Sequence, residues 1–421
     1  MDHEIRASGL SGGLGAVAVE LAGVPDGDLL AGRIDELFRV FPVAGARLRK
    51  NGKRYGWVAT DDAADRLRWQ DCPPGRDEAV FLRTVLRDIM NRDEPWDATA
   101  PLRFYLLAGS GHALLVMCWL HPLLDARGAD IVLDFLTTHD PERSSAIAQG
   151  HTESLVDARL RSLSAWRKVC YFFKAKRHIE AIDRLDSILP SLRDQGPLRW
   201  NFRIQRFDSA KTGLISRNAQ RSVGLGGKTL YYIGCLMRAI EAVGAEGAGE
   251  AYCVPYAFNL RKQRALTPVF GNHVSVLFAQ APKSLVPNRA ALFRHLRQQN
   301  ADVIRNQLDY AFLPLMKLGS WLSPARYGKV LRRQRNGGER SSFWFSDVGE
   351  IDMGARDFFG VPIAGMFHLC QVTAPPSLAL LVGQANGVLT LTYNYLEPAL
   401  DSAWIDRLQS AMEAQLLEEA I

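Results

Sequence analysis

Residues 112–136, HALLVMCWLHPLLDARGADIVLDFL, decide how this chain is read. The unbroken apolar run Ala113–Leu120 follows a Gly-Ser-Gly turn, the pattern of a strand buried on both faces. His121 ends the run, Pro122 opens a turn, Asp125 stands four positions after the histidine, and ARGADIVLDFLTT then has helical apolar spacing. A histidine placed there is held in one rotamer and one tautomer with its outer nitrogen turned to a cavity, which suits a general base. The same residue also fits a core histidine with satisfied ring nitrogens. The HxxxD spacing alone is weak in a chain with nine histidines.

Upstream, PLRFYLLA is the first strand of a hairpin with the Ala113–Leu120 run. DLLAGRIDELFRVF and DEAVFLRTVLRDIM have the spacing of helices, and RLRKNGKRYGWVAT carries Asn-Gly between two short extended runs. GLSGGLGAV lacks a preceding apolar strand and a P-loop lysine, so it reads as a turn or frayed terminus and not as a phosphate loop. Residues 151–198 form a basic helical linker, with Leu160, Leu163, Trp166, Cys170 and Phe173 on one stripe. An amphipathic helix packed on the body is the plainer reading of that stripe, beside a membrane-surface or partner-docking role.

Downstream, KTLYYIGCLMRAIEAV and ALFRHLRQQNADVIRNQ predict helices, and AYCVPYAFN and HVSVLFAQ predict strands. SLALLVGQANGVLTLTYNY predicts a hairpin about Asn-Gly, and SAWIDRLQSAMEAQLLE a closing amphipathic helix. The fold class is mixed α/β (α+β) in two halves, with a first subdomain over 1–150, the linker over 151–198 and a second subdomain over 199–421.

Of the 421 residues 47 % are hydrophobic and 23 % charged, enough for a large core and two subdomains. No secretory or membrane-spanning pattern is legible, so the expected compartment is the cytoplasm, with peripheral membrane contact through 159–178 as the variant. The six cysteines are scattered without metal-ligand spacing, which argues against a disulfide framework or zinc site; no metal is expected. The net charge of +6 is local: Arg159–His178 holds seven Lys/Arg and Lys317–Arg335 holds six, neither with an acid. Two such patches suggest an anionic partner, a nucleotide-bearing cofactor, an acidic protein or a lipid headgroup. No GxSxG elbow or other nucleophile context is present, and no nucleic-acid partner is indicated.

Taken in order, HPLLDARG, VPYAFNLRKQR (254–264), FGNHVSVLF (270–278), FSDVGEI (345–351) and the hairpin ending LTLTYNY resemble the chloramphenicol acetyltransferase-like superfamily. That superfamily includes peptide-synthetase condensation domains, plant BAHD acyltransferases and wax ester and alcohol acyltransferases. The resemblance implies two related subdomains, each a mixed sheet flanked by helices, meeting at a tunnel with His121 at its middle. It implies His121 as the base that deprotonates an acceptor attacking a thioester, with no acyl-enzyme. It further implies Asp125 as a structural residue paired with Arg261, with Ser346 and Asn272 nominated as oxyanion donors. The donor would be acyl-coenzyme A or an acyl carrier protein's phosphopantetheine, with no tightly bound cofactor. The acceptor would be a small molecule, a hydroxyl in preference to an amine, and the protein a monomer. The alternative is a non-catalytic or condensation-like member that binds a carrier protein or a lipid. The chain departs from the pattern at Leu120, where condensation domains carry a second histidine, at Ala126, where most members have glycine, and at Asp347, where asparagine is common. DFFGV (357–361) matches the BAHD Asp-Phe-Gly-Trp-Gly motif only in part.

Overall fold

The structure is a computed structural model and describes residues 13–51, 54–60, 66–92, 100–150, 154–190, 197–245, 247–262, 265–319, 321–322, 340–351 and 356–419. Most of the basic run Lys317–Arg335, the start of GLSGGLGAV and the Gln263–Arg264 end of VPYAFNLRKQR lie outside the described residues.

In chain order the first lobe contains β1 (Leu14–Leu21), α1 (Gly27–Val40), β2 (Arg47–Asn51), β3 (Arg54–Val58), β4 (Leu67–Asp71), α2 (Glu78–Asn91), β5 (Leu102–Ala108), β6 (Ala113–Leu120), α3 (Ala126–Thr137) and α4 (Pro141–Ala148). Two helices follow, α5 (Leu155–Arg161) and α6 (Ala165–Ile182). The second lobe begins with β7 (Arg199–Phe207), α7 (Ser209–Val223), α8 (Lys228–Val243), β8 (Ala251–Asn259), β9 (Val274–Pro282), α9 (Arg289–Asn306) and α10 (Leu308–Gly319). Then come β10 (Trp344–Glu350), the strands β11 (Asp357–Phe358) and β12 (Val361–Cys370) that belong to the first lobe's sheet, and, in the second lobe again, β13 (Leu378–Ala385), β14 (Val388–Glu397) and α11 (Ser402–Leu417). Asp26, Asp77, Asp140, Asp208 and Asp401 each accept a backbone N–H at the start of a helix, which satisfies donors the helix cannot pair itself.

Two six-stranded mixed sheets carry the lobes, ordered β11-β12-β1-β6-β5-β4 and β7-β14-β13-β10-β8-β9. Strand β6 is buried along its whole length: Leu115, Met117 and Trp119 face the core under α1 and α3, while Leu114, Val116, Cys118 and Leu120 face a second core. That second core also takes Trp200 and Phe202 of β7 and Ala379 and Leu381 of β13, so the two sheets share it. The far face of the second sheet is covered by α7, α8 and α11, which bury Tyr231, Tyr232 and Ile405.

Two sequence readings are corrected here. The glycine-rich start is no frayed terminus beyond residue 13: β1 runs between β6 and β12 and is antiparallel to both. The segment 345–351 stays in the second sheet, with β10 parallel to β13, and the chain crosses afterwards, so that β11 and β12 complete the first sheet. DFFGV is the turn of that crossing hairpin, with Phe359 and Gly360 at φ 50° and 82°. Finally, the expected stripe of the linker is split. Ser164 caps a new helix, α6, whose buried face is Tyr171, Ala175 and Ile182, while Trp166 and Phe173 face solvent.

Of the cysteines, Cys118, Cys235 and Cys253 are buried and none of the six is in a disulfide. Burial pushes the Cys235 thiol up to about 12, far from the range of a thiolate nucleophile.

Candidate active site

Strand β6 delivers His121 to the end of the first sheet, where its backbone N–H donates to Gly13 O at 2.6 Å. The imidazole is exposed and makes no hydrogen bond among the described residues. Its loop is fixed from behind. Asn272 donates its side-chain amide to His121 O at 2.8 Å, and Gly271 N–H donates to Leu123 O at 2.7 Å. Leu124 and Gly271 form a parallel bridge, which joins the histidine loop to the chain between β8 and β9 of the other lobe.

Asp125 points away from the histidine. As N-cap of α3 it accepts Gly128 N–H through Oδ1 at 2.8 Å. Its Oδ2 accepts Arg261 Nη1 at 2.9 Å and His273 N–H at 2.8 Å. The side chains of Arg261 and Asp125 are 1 % and 5 % exposed, so this is an ion pair shielded from water. Arg261 spends its remaining donors on Pro268 O and Val269 O, at 2.8 and 3.4 Å. A buried pair of this kind holds a geometry because each nitrogen of the guanidinium and each carboxylate oxygen has at least one partner; loss of one member would strand a charge.

A glycine, Gly128, stands three positions after Asp125. A Cβ on Gly128 would lie 2.4 Å from Val269 O, so only glycine lets α3 approach the Arg261 segment this closely. Gly271, at φ 108°, makes the corresponding turn on the other side.

His273 escaped the sequence reading although it adjoins Asn272. It is buried, its Nε2–H donates to Phe270 O at 2.9 Å and its Nδ1 accepts Leu155 N–H at 3.3 Å, which defines a neutral tautomer. Burial holds its pKa below the usual histidine value. Leu155 opens α5, and Arg159 of the same helix donates to Leu260 O, so α5 is fastened to the support of the site. One turn along α3, buried Asp130 meets His368 Nε2 of β12 at 3.0 Å and pins the helix to the first sheet. Neither histidine has a local sequence signal, because the carboxylate each is joined to comes from a distant segment.

The structure thus brings His121, Asp125, Arg261 and Asn272 together. Ser346 lies on β10 and has no hydrogen bond to any of these four. It shares a strand face with Trp344 and Val348, which pack on the first lobe's cores. Asp347 turns to the opposite face, accepting Thr229 Oγ1 at 2.7 Å and Gly349 N–H at 3.0 Å, and burial raises its carboxyl above the usual carboxylate range. Among the described residues no group of three or more His, Cys, Asp or Glu side chains could hold a metal ion.

This architecture, two lobes built on stacked mixed sheets with the histidine loop bridged from one lobe to the other, is the chloramphenicol acetyltransferase-like fold. Among solved structures, the chain is similar to the first condensation domain of the calcium-dependent antibiotic synthetase in complex with a substrate analogue, at 13 % identity and a TM-score of 0.72 over 100 % of this chain and 96 % of that one. It is also similar to the TRI3 trichothecene 15-O-acetyltransferase of Fusarium sporotrichioides, at 9 % identity and a TM-score of 0.69, covering 97 % and 91 %. Polyketide synthase associated protein 5 of Mycobacterium tuberculosis is similar at 14 % identity and a TM-score of 0.65, covering 99 % and 97 %. No protein-family model and no curated protein matches the chain.

Proposed function

We propose that the chain is an acyltransferase that moves an acyl group from a thioester, on coenzyme A or on a carrier protein's phosphopantetheine, to a hydroxyl acceptor. The observation that carries this reading is the division of labour in the HxxxD loop. The His121 ring is left free at the end of a buried strand, and both carboxylate oxygens of Asp125 are spent behind it on α3, Arg261 and His273.

In this reading His121 takes the acceptor's hydroxyl proton as the oxygen attacks the thioester carbonyl carbon. The oxyanion so formed collapses, the C–S bond breaks, and the imidazolium returns its proton to the departing thiolate. The products are an ester and a free thiol. A thioester is already activated, so proton transfer and positioning suffice without an acyl-enzyme. Asn272 acts by holding the His121 carbonyl, and Ser346 is the side chain nominated to donate to the oxyanion. The similar fold of the trichothecene 15-O-acetyltransferase, whose name gives an oxygen as acceptor, favours the hydroxyl over the amine.

The test is free-thiol release from acyl-coenzyme A donors of short to long chain with pooled alcohol and amine acceptors, repeated with carrier-bound donors. Wild-type release that His121→Ala lowers by about 10²–10⁴-fold is expected of a lost general base. Equal release by the two proteins would remove His121 from the reaction.

A further inference from the structure

Helix α6, AWRKVCYFFKAKRHIEAI, is amphipathic in an unusual sense: it has two apolar faces, and only one is covered. Tyr171 and Ala175 join the second lobe's core. On the opposite side Trp166, Val169 and Phe173 are 75, 45 and 51 % exposed. Their i, i+3, i+7 spacing puts them on one stripe, and folding gains little from large apolar groups left so open. Around the stripe stand Arg167, Lys176 and Arg177, all exposed. The guanidinium groups of Arg167 and Arg177 have no partner among the described residues, and Lys176 meets only exposed Glu180 at 3.6 Å. The neighbouring helix α10, held to α5 by Lys317–Asp157 at 2.7 Å, leaves Leu318 exposed in its last turn and Trp321 just beyond it.

We infer that the outer face of α6 docks the protein on an anionic lipid surface. An aromatic stripe seats at the depth of the headgroups, and the cations beside it meet the phosphates. From Arg159 to His178 the sequence holds no acid, and the one carboxylate of α6, Glu180, is offset by Lys176. The helix cannot span: no helix among the described residues is long and apolar enough to cross a membrane. Because α5 bonds both His273 and Leu260, the docking helix is joined through three residues of connection to the support of the His121 loop. The inference does not depend on the reaction proposed for His121.

The test is co-sedimentation of the full chain with vesicles of phosphatidylcholine alone and of phosphatidylcholine with phosphatidylglycerol, at low and high salt. The wild type should pellet with the anionic vesicles, less at high salt, and stay in the supernatant with phosphatidylcholine. Trp166→Ala/Phe173→Ala should bind at least about tenfold more weakly. Arg167→Gln/Arg177→Gln should lose about fivefold per charge together with part of the salt dependence. These side chains are exposed, so unchanged urea midpoints are expected of both variants and certify their folds. A wild type that ignores anionic vesicles, or an aromatic variant that pellets as the wild type does, overturns the inference. So does a dimer in light scattering that the aromatic variant makes monomeric, since a second copy would then own the face. Thiol release with water-soluble substrates reports separately on the reaction.

Discussion

Arg261 reaches across 136 residues of sequence to place its Nη1 2.9 Å from Asp125 Oδ2, with both side chains out of contact with water. The carboxylate of the HxxxD loop is thereby held away from the His121 ring.

Removing both members of this pair should cost less than the sum of the two single losses. Arg261→Met strands a buried carboxylate and should destabilise by about 3–5 kcal/mol. Asp125→Asn keeps an acceptor for Gly128 N–H and strands the guanidinium instead. In a double-mutant cycle by urea denaturation the two changes together should fall short of their sum by about 1–3 kcal/mol. Additive losses would mean that the pair does not bind the loop.

Asn272 is expected to act on His121 through its carbonyl. Asn272→Ala loses one hydrogen bond, about 0.5–1.5 kcal/mol, whereas Asn272→Asp sets a carboxylate oxygen against His121 O and should be worse. If the contact positions the imidazole, the turnover number of Asn272→Ala falls while the Michaelis constant holds. A change confined to the Michaelis constant would argue that Asn272 meets the substrate instead.

Glycine at 128 is a packing requirement. Gly128→Ala puts a methyl group 2.4 Å from Val269 O and forces α3 from the Arg261 segment, at a cost of about 1–3 kcal/mol. Ala126→Gly, at the position where related loops carry their glycine, should not rescue it. Thermal unfolding of the single and double variants checks both statements.

Stability should fall as the pH drops below about 6.5. Burial depresses the pKa of His273, and of His178 against Phe312, so the unfolded chain takes up these protons first and is favoured as they bind. Each contributes a slope of at most about 1.4 kcal/mol per pH unit from the unfolded value down to its folded one. His273→Gln, which can keep a donor for Phe270 O and an acceptor for Leu155 N–H, should lose its share and leave that of His178. Urea midpoints of wild type and variant between pH 8 and pH 5 decide it; a wild type flat over that range sinks the argument.

Local pattern sufficed for much of this molecule. The doubly buried β6, the hairpins at Gly-Ser-Gly and Asn-Gly and the helices α1, α2, α3, α8, α9 and α11 stand where the spacing of apolar residues put them, because each is specified by neighbours within one or two turns. The HxxxD spacing was visible as a motif, while Arg261 was reached only through the resemblance to a known superfamily. Tertiary structure alone decided three things. β1 is central because both its faces find cores in other segments. His273 and His368 became partners of Asp125 and Asp130 because residues 148 and 238 positions away were folded onto them. Trp166 and Phe173 kept the spacing of a buried stripe and lost the burial, since the helix broke at Ser164 and turned Tyr171 and Ala175 inward. Periodicity says which side chains share a face; which face meets the core is settled by the long-range contacts that position the whole element.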